Sequence, residues 1–184
     1  MTLLYYNLFT MSKIAFIVDS ASGIKDGQYD NVYVLPLIIT IKDATGNVKE
    51  YHDGVDINEA ETDKAIKNKK CDVKTSQASV GELMKIVESI QDEYDQIYVL
   101  PIHPKISNSI NTWNMIKEDY PKLVILPTTD FTCGVIWDIE YLLDLAKKGK
   151  LTPEVALDYI TNVYKHRNGI LFVYDLTQLA KGGR

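Results

Sequence analysis

The chain has 184 residues, of which 46% are apolar and 24% are charged; this composition supports a folded core and excludes a disordered or membrane-like chain. Its 20 Lys and Arg residues are outnumbered by 25 Asp and Glu residues, which gives a net charge of −5. A general nucleic-acid-binding surface is therefore not expected, because such surfaces need clustered positive charge. The two cysteines cannot form a disulfide framework, so the reducing cytoplasm is the expected location.

The first ten residues are apolar and aromatic, without Lys or Arg and without a small-residue cleavage site. They are not expected to act as a secretory signal, and they are too short to cross a bilayer. Stable insertion into a membrane is therefore not predicted. Because Met11 offers a second possible start, residues 1–12 are predicted to be a non-native or disordered extension.

Strands and helices are predicted to alternate from residue 13 onwards. Residues 14–18 form a continuous apolar run that stops at polar residues, which is typical of a strand buried on both faces of a parallel sheet. Residues 32–41 form a second β-rich run that contains Pro36, so an edge strand or a bulge is expected there. Turn residues precede residues 48–51, which indicates a hairpin-like excursion.

Helix-forming patterns follow. Residues 58–70 predict an exposed helix, and a capping box formed by Ser79 and Glu82 predicts the start of the next one. Thr152, followed by proline at the first helical position, predicts the start of the last helix. Alternating strands and helices predict an α/β fold with a mainly parallel sheet and helices on both faces. The remaining predicted elements are strands over residues 96–102, 122–126 and 169–174 and helices over residues 110–120 and 135–146.

A binding site is expected just after the apolar runs, because open α/β sheets bind ligands beyond the carboxyl ends of their strands. These segments are rich in hydroxyl groups, and those at Ser79 and near Ser107 lead into helices whose first amides are free donors. Such a rim can hold a carboxylate or phosphate oxygen without arginine, although caps and turns are the commoner role of any single segment. The segments are residues 19–22, 75–77, 103–109 and 128–130.

Catalysis and cofactor binding have weaker support in the sequence, and no catalytic residue is predicted. Asp19 could accept a phosphoryl group, but no second carboxylate follows two residues later, so a role in shaping a turn or pocket is preferred. A serine paired with His103 lacks a nucleophile elbow and an orienting partner. No nucleotide-binding glycine motif is present, and the histidines lack further ligands at metal-site spacing, so no cofactor and no metal are predicted.

Five short motifs occur in an order that is found in one protein family. In these motifs, and over residues 13–184, the chain resembles the DegV-type fatty-acid-binding proteins of bacteria. It departs from the family pattern at Ala78, where proline is usual, and at Ile106-Ser107-Asn108-Ser109, where Leu-Ser-Gly-Thr is usual. The motifs are Asp19-Ser20, Asp53-Gly54-Val55-Asp56-Ile57, Thr75-Ser76-Gln77-Ala78-Ser79, Ile106-Ser107 and Leu179-Ala180-Lys181-Gly182-Gly183-Arg184.

The resemblance implies a lipid-binding carrier rather than an enzyme. DegV-like proteins hold a long-chain fatty acid, with its carboxylate bound by hydroxyl groups and its tail buried. Several of them present it to a separate ATP-dependent fatty acid kinase, whose catalytic subunit is then the expected partner. By resemblance, Thr75 and Ser107 contact the carboxylate, with Ser76 and Gln77 as close neighbours. The candidates for lining the pocket are Asp19, Ser20, His103 and Asn108, and Arg184 is expected to face the kinase.

The resemblance also implies a division of the chain, since family members continue beyond the Gly-Gly-Arg element into a second lobe. Residues 13–166 are expected to form the DegV-like lipid-binding lobe, and residues 167–184 the start of a second, α+β lobe that is largely missing. A truncated chain is expected to bind fatty acid weakly or not at all, because a half-open tunnel buries less of the tail. Two alternatives remain open: a small-molecule enzyme acting on an anionic substrate in the crevice, and an inactive truncated remnant.

Overall fold

The computed structural model describes residues 12–170, which form an α/β structure. The strands in this part of the chain are β1 (Ile14–Asp19), β2 (Val32–Leu35), β3 (Ile38–Lys42), β4 (Val48–His52), β5 (Asp72–Ser76), β6 (Gln96–Leu100) and β7 (Leu123–Ile125). The helices are α1 (Glu59–Lys67), α2 (Val80–Ile90), α3 (Ser109–Ile116), α4 (Cys133–Lys147) and α5 (Pro153–His166). Single turns of 3-10 helix follow β1 and α3.

The main sheet contains four parallel strands in the order β2-β1-β6-β7. Every residue of β1 is buried, and successive side chains of a strand point to opposite faces, so the sheet has two cores. On one face Ala15 and Ile17 pack with Trp113 and the apolar sides of α2 and α3. On the other face Phe16 and Val18 pack with the apolar sides of α4 and α5. The predicted α/β fold, with a parallel sheet between helices, is confirmed.

Two of the predicted helix starts carry the expected caps. The Ser79 hydroxyl accepts a hydrogen bond from the Glu82 amide, and the Glu82 carboxylate accepts one from the Ser79 amide, which completes the capping box at the start of α2. At the start of α5, Thr152 accepts from the Val155 amide. Local sequence therefore sets both starting points.

A second sheet was not expected from the sequence. It is antiparallel, contains three strands in the order β4-β3-β5, and corrects the prediction of one long strand over residues 32–41. Pro36 separates β2, at the edge of the main sheet, from β3, which belongs to the second sheet. Proline has no amide hydrogen for a ladder, so the chain changes partners at that point. The hairpin-like excursion is confirmed as the β3–β4 pair.

The two ends of the chain carry further predictions. Residues 1–11, most of the predicted extension, and residues 171–184, which include Arg184, lie outside the described residues. The predicted strand over residues 169–174 falls largely there, and Gly169 and Ile170 have no regular structure. No helix within residues 12–170 combines the length and the apolar character needed to cross a membrane.

Candidate functional site

The carboxyl ends of the parallel strands meet at one edge of the main sheet, where β1 ends at a buried acid. Asp19 is 2% exposed, and its Oδ2 atom accepts a hydrogen bond of 2.9 Å from the Ile102 amide, just beyond β6. Burial raises the pKa of the Asp19 carboxyl to about 6, although the Ile102 amide acts in the opposite direction. Asp19 therefore ties β1 to the segment after β6 and has little access to solvent.

Hydrogen bonds to backbone carbonyls join the segment after β6 to the loop after β7. The Thr128 hydroxyl donates to the Pro101 carbonyl, and the His103 amide donates to the Asp130 carbonyl at 3.1 Å. The His103 carbonyl in turn accepts from the Ser107 amide at 3.1 Å. The turn that carries Ser107 is thus supported by the neighbouring loop.

The His103 ring is engaged within this turn. Its Nδ1 atom accepts from the Lys105 amide at 2.9 Å. Within residues 12–170 no serine side chain is hydrogen-bonded to the ring, so the nucleophile–base pair considered from the sequence is not assembled there. His103 lies at the predicted edge as a turn residue.

Ser107 and Gln77 come together beside the start of α3. The Ser107 hydroxyl lies 3.5 Å from Gln77 Oε1 and accepts from the Ser109 amide at 3.2 Å. Gln77 Nε2 donates to the Thr112 hydroxyl at 2.6 Å. Asn108 is the N-cap residue of α3 without a side-chain cap bond, and its φ of −87° is a region open to any residue. Asparagine in place of the family's glycine therefore does not strain this turn.

Thr75 and Ser76 do not follow a strand of the main sheet, which corrects the prediction that residues 75–77 continue from one. They lie within β5, opposite Ile39 and Ile38 of β3, and both are exposed. The strand was missed because it is short and carries Val73 as its one large apolar residue. Within residues 12–170 neither hydroxyl has a side-chain hydrogen-bond partner, and no side-chain contact joins either residue to Ser107.

Ser20 links the two sheets. Its hydroxyl donates to Asp53 Oδ2 at 2.7 Å and accepts from the Leu37 amide at 3.1 Å. Asp53 begins the loop after β4, in which Gly54 adopts a positive φ of 77° that favours glycine. Two motifs of the sequence, Asp19-Ser20 and Asp53 to Ile57, are therefore in contact.

A second link involves His52 at the end of β4. Its ring nitrogens lie 2.6 Å from Asp56 Oδ2 and 2.8 Å from Glu82 Oε1, so the loop after β4 is held against the start of α2. Hydrogen bonding to Asp56, and then to Glu82, raises the pKa of His52 above its usual value. The His52 imidazole therefore joins the second sheet to α2, and its two carboxylate neighbours favour the protonated form.

We expect His52→Gln to lower the free energy of unfolding more at about pH 5.5 than at about pH 9. The folded state binds the His52 proton more tightly than the unfolded chain, so its contribution is complete below the unfolded pKa and is lost as pH rises through the folded one. Both partners are partly exposed, so the effect is small. Urea denaturation at the two pH values measures it, and an equal difference at both would contradict the assignment.

Two cavities lie away from this edge. One, of about 410 Å³, is at the amino end of β1, between Lys13, Tyr94 and Leu143. The other, of about 430 Å³, lies beside the second sheet, between Lys42 and Cys71. Neither is lined by a residue predicted to bind the carboxylate. Within residues 12–170 no three acidic, histidine or cysteine side chains are grouped to hold a metal ion.

A buried ionic cluster that was not expected from the sequence lies behind the loop after β7. Asp138 on α4 is fully buried and accepts hydrogen bonds from the hydroxyls of Tyr159, at 3.0 Å, and Tyr164, at 2.7 Å. Arg167 pairs with Asp138 at 3.0 Å and with Asp130 at 3.3 Å. Burial disfavours the charge of Arg167, but hydrogen bonding to Asp138 leaves its pKa raised.

One feature of the sequence could have indicated this cluster. Asp138 lies within the apolar stripe formed by Val135, Ile139 and Leu142 of α4. An acid at such a position must find a partner when the stripe is buried. Its partner follows 29 residues later, as one of only two arginines in the chain.

The fold defines a class of protein: an α/β domain whose parallel sheet is covered by helices on both faces. A small antiparallel sheet lies beside the carboxyl ends of its parallel strands. The family model described as "Uncharacterised protein, DegV family" matches residues 13–184. The chain belongs to the DegV family. A DegV domain-containing protein of Mycoplasma genitalium is 31% identical over 175 residues, which are 94% of this chain and 60% of that protein.

Solved structures share the fold. DegV of Bacillus subtilis, a fatty acid binding protein, matches with a TM-score of 0.73 and 17% identity over 84% of this chain and 54% of that one. The fatty acid kinase B3 protein of Streptococcus pneumoniae, loaded with linoleic acid, matches with a TM-score of 0.64 and 18% identity over 83% and 54%. The chain spans about 60% of the length of the curated relatives that it matches.

Proposed function

We propose that this chain is the headgroup-binding part of a fatty-acid carrier, which holds a long-chain fatty acid for a separate ATP-dependent kinase. The observation that carries the proposal is the meeting of Ser107 and Gln77 at the start of α3, where the Asn108 side chain makes no cap bond. The Ile110 amide has no hydrogen-bond partner within residues 12–170. Free amides at a helix start, beside hydroxyl groups, attract an anion.

The proposed contacts hold the carboxylate by neutral donors. Thr75 and Ser107 supply hydroxyls whose hydrogen bonds to a charged oxygen are stronger than those between neutral groups. Gln77, which follows β5, lies beside Ser107, and the single hydroxyl hydrogen of Ser107 would turn from Gln77 Oε1 to the carboxylate of a ligand. Binding through neutral donors leaves the carboxylate charge uncompensated and its oxygens nucleophilic toward a phosphoryl donor. This is the chemistry that a carrier needs when another protein brings ATP.

The tail of the fatty acid needs more apolar enclosure than this edge supplies. Each buried methylene contributes about 0.8 kcal/mol, and neither described cavity adjoins the proposed headgroup contacts. The relatives contain further sequence that this chain does not span. We therefore assign the headgroup contacts to this part and propose weak binding by the chain alone. The kinase partner, the contact through Arg184 and a cytoplasmic location belong to the same proposal.

Linoleate binding by the delipidated chain tests the proposal. Ser107→Ala and Thr75→Ala are each expected to weaken binding about tenfold, because each removes a hydrogen bond to a charged oxygen. Ser89→Ala, on an exposed part of α2, is the control and should bind as the unsubstituted chain does. Methyl linoleate, which has no carboxylate, should bind weakly and without dependence on Ser107. Equal affinity of Ser107→Ala and Ser89→Ala for linoleate would refute the headgroup assignment.

An enzyme that uses Asp19 is the second candidate function. Its carboxyl group stands at the end of β1 with a raised pKa, as acids in active sites often do. The same group is 2% exposed and is bound by the Ile102 amide, which leaves it poorly placed for attack on a substrate. The carrier proposal is therefore preferred, and turnover abolished by Asp19→Ala would favour the enzyme.

A further inference from the structure

We infer that Arg167 is a positioning residue for the headgroup site: it fixes the loop after β7, and that loop supports the turn that carries Ser107. The inference rests on the proposed function as far as ligand binding is concerned. Its structural part, the dependence of the Ser107 turn on Arg167, can be tested without ligand.

Arg167 is held in one orientation from several sides. Its Nη1 atom donates to the Gly134 carbonyl at 3.1 Å and reaches Asp138 Oδ2 at 3.1 Å. The guanidinium lies over the rings of Trp137, 5.8 Å from the centroid, and Tyr164, 5.5 Å. A planar group fixed by a fork of hydrogen bonds and by stacking can define the position of a further partner.

That further partner is Asp130, in the loop after β7. Its Oδ2 atom lies 3.3 Å from Arg167 Nη1, and its Oδ1 atom accepts from the Phe131 amide at 2.9 Å. Two residues later Thr132 has a φ of 47°, a conformation that non-glycine residues adopt only where their surroundings fix it. The loop is therefore held in a conformation that it would not adopt freely.

The same loop contacts the Ser107 turn through its backbone. The Asp130 carbonyl accepts from the His103 amide at 3.1 Å, and the His103 carbonyl accepts from the amides of Ile106, at 2.8 Å, and Ser107, at 3.1 Å. A continuous series of hydrogen bonds thus runs from the Arg167 guanidinium to the Ser107 backbone. Displacement of the Asp130 side chain is expected to reach the hydroxyl that contacts the ligand.

Gly134 provides the means to break this series without replacing either charged residue. A Cβ atom at Gly134 would lie 1.9 Å from Asp130 Oδ2, so an alanine there must push the carboxylate away from Arg167. Alanine favours a helix more than glycine does, so helix propensity would not account for any destabilisation. The residue at this position is small because the acid approaches α4 so closely.

The experiment compares Gly134→Ala with Tyr159→Phe, which removes a hydrogen bond to Asp138 but leaves the Asp130 link in place. Amide chemical shifts of His103 and Ser107 are measured without ligand, and linoleate affinity is measured separately. We expect Gly134→Ala to shift both amides and to weaken binding about threefold to tenfold, while Tyr159→Phe changes neither. Arg167→Lys, which keeps the charge without the fork, should shift the same amides.

The outcomes separate the two proposals. Unmoved His103 and Ser107 amides in Gly134→Ala overturn the positioning role, whatever the ligand does. Shifted amides in a protein whose unsubstituted form binds no linoleate support the structural link and count against the proposed function. Equal shifts in Tyr159→Phe and Gly134→Ala would show a general loss of packing and also overturn the role assigned to Arg167.

Discussion

Arg167→Met is expected to lower the free energy of unfolding by about 3–5 kcal/mol. The substitution leaves Asp138, which is fully buried, without its ion-pair partner at 3.0 Å. The hydroxyls of Tyr159 and Tyr164 still donate to the carboxylate, but they do not neutralise it. Urea denaturation at neutral pH measures the loss.

The matched control is an exposed ion pair at the carboxyl end of α4, the helix that carries Asp138. Lys148→Met breaks the pair between Lys148 and Asp144, whose side chains are 56% and 52% exposed, and should change stability by less than about 0.5 kcal/mol. Combining Arg167→Met with Asp138→Asn should recover part of the loss, because no unpaired charge then stays buried. A loss from Arg167→Met no greater than that from Lys148→Met would contradict the energetic role of the cluster.

The second large effect concerns Asp19, whose pKa is raised to about 6 by burial. Between about pH 4 and pH 6 the folded protein keeps a proton on this group that the unfolded chain has released. Rising pH therefore favours the unfolded chain over this interval. A difference of about two pKa units corresponds to about 3 kcal/mol.

Asp19→Asn removes this titration and keeps an oxygen that can accept from the Ile102 amide. The free energy of unfolding of the variant, relative to that of the unsubstituted protein, should rise by about 3 kcal/mol when the pH is raised from about 4 to about 7. Denaturation curves at the two pH values measure the change, and the lower pH serves as the internal control because Asp19 is protonated there. A relative stability that does not vary with pH would contradict a buried, protonatable Asp19.

The parts of the fold that could be predicted from the sequence are those that local chemistry determines. The continuous apolar run of β1 predicts a strand that is buried on both faces. The capping box at Ser79 predicts a helix start, because it binds amides that the first turn leaves without partners. Both patterns lie within a few residues of the sequence. The second sheet is different. Its strand β5 is short and half-exposed, and its pairing with β3 is a long-range contact that no local pattern records.

The candidate site also has parts that local sequence predicts and parts that depend on long-range packing. Hydroxyls at strand ends and helix starts indicated Ser107 and its neighbours, and the structure brings Gln77 to Ser107. Their role toward a carboxylate stays a prediction. Pairing of Asp138 with Arg167 depends on how α4 and α5 pack, which the sequence does not specify, although an acid in an apolar stripe signals that a partner is needed.

The second sheet has the topology of an insertion. The chain enters this sheet at Ile38 and leaves it at Ser76. These two residues are direct partners in the β3–β5 ladder, so the inserted segment begins and ends at the same place. Gln77 directly follows this point, so its position beside Ser107 is set by the placement of the second sheet. The distance between Gln77 and Ser107 therefore depends on how firmly the contacts of Ser20 with Asp53 and of His52 with Glu82 hold the second sheet in place.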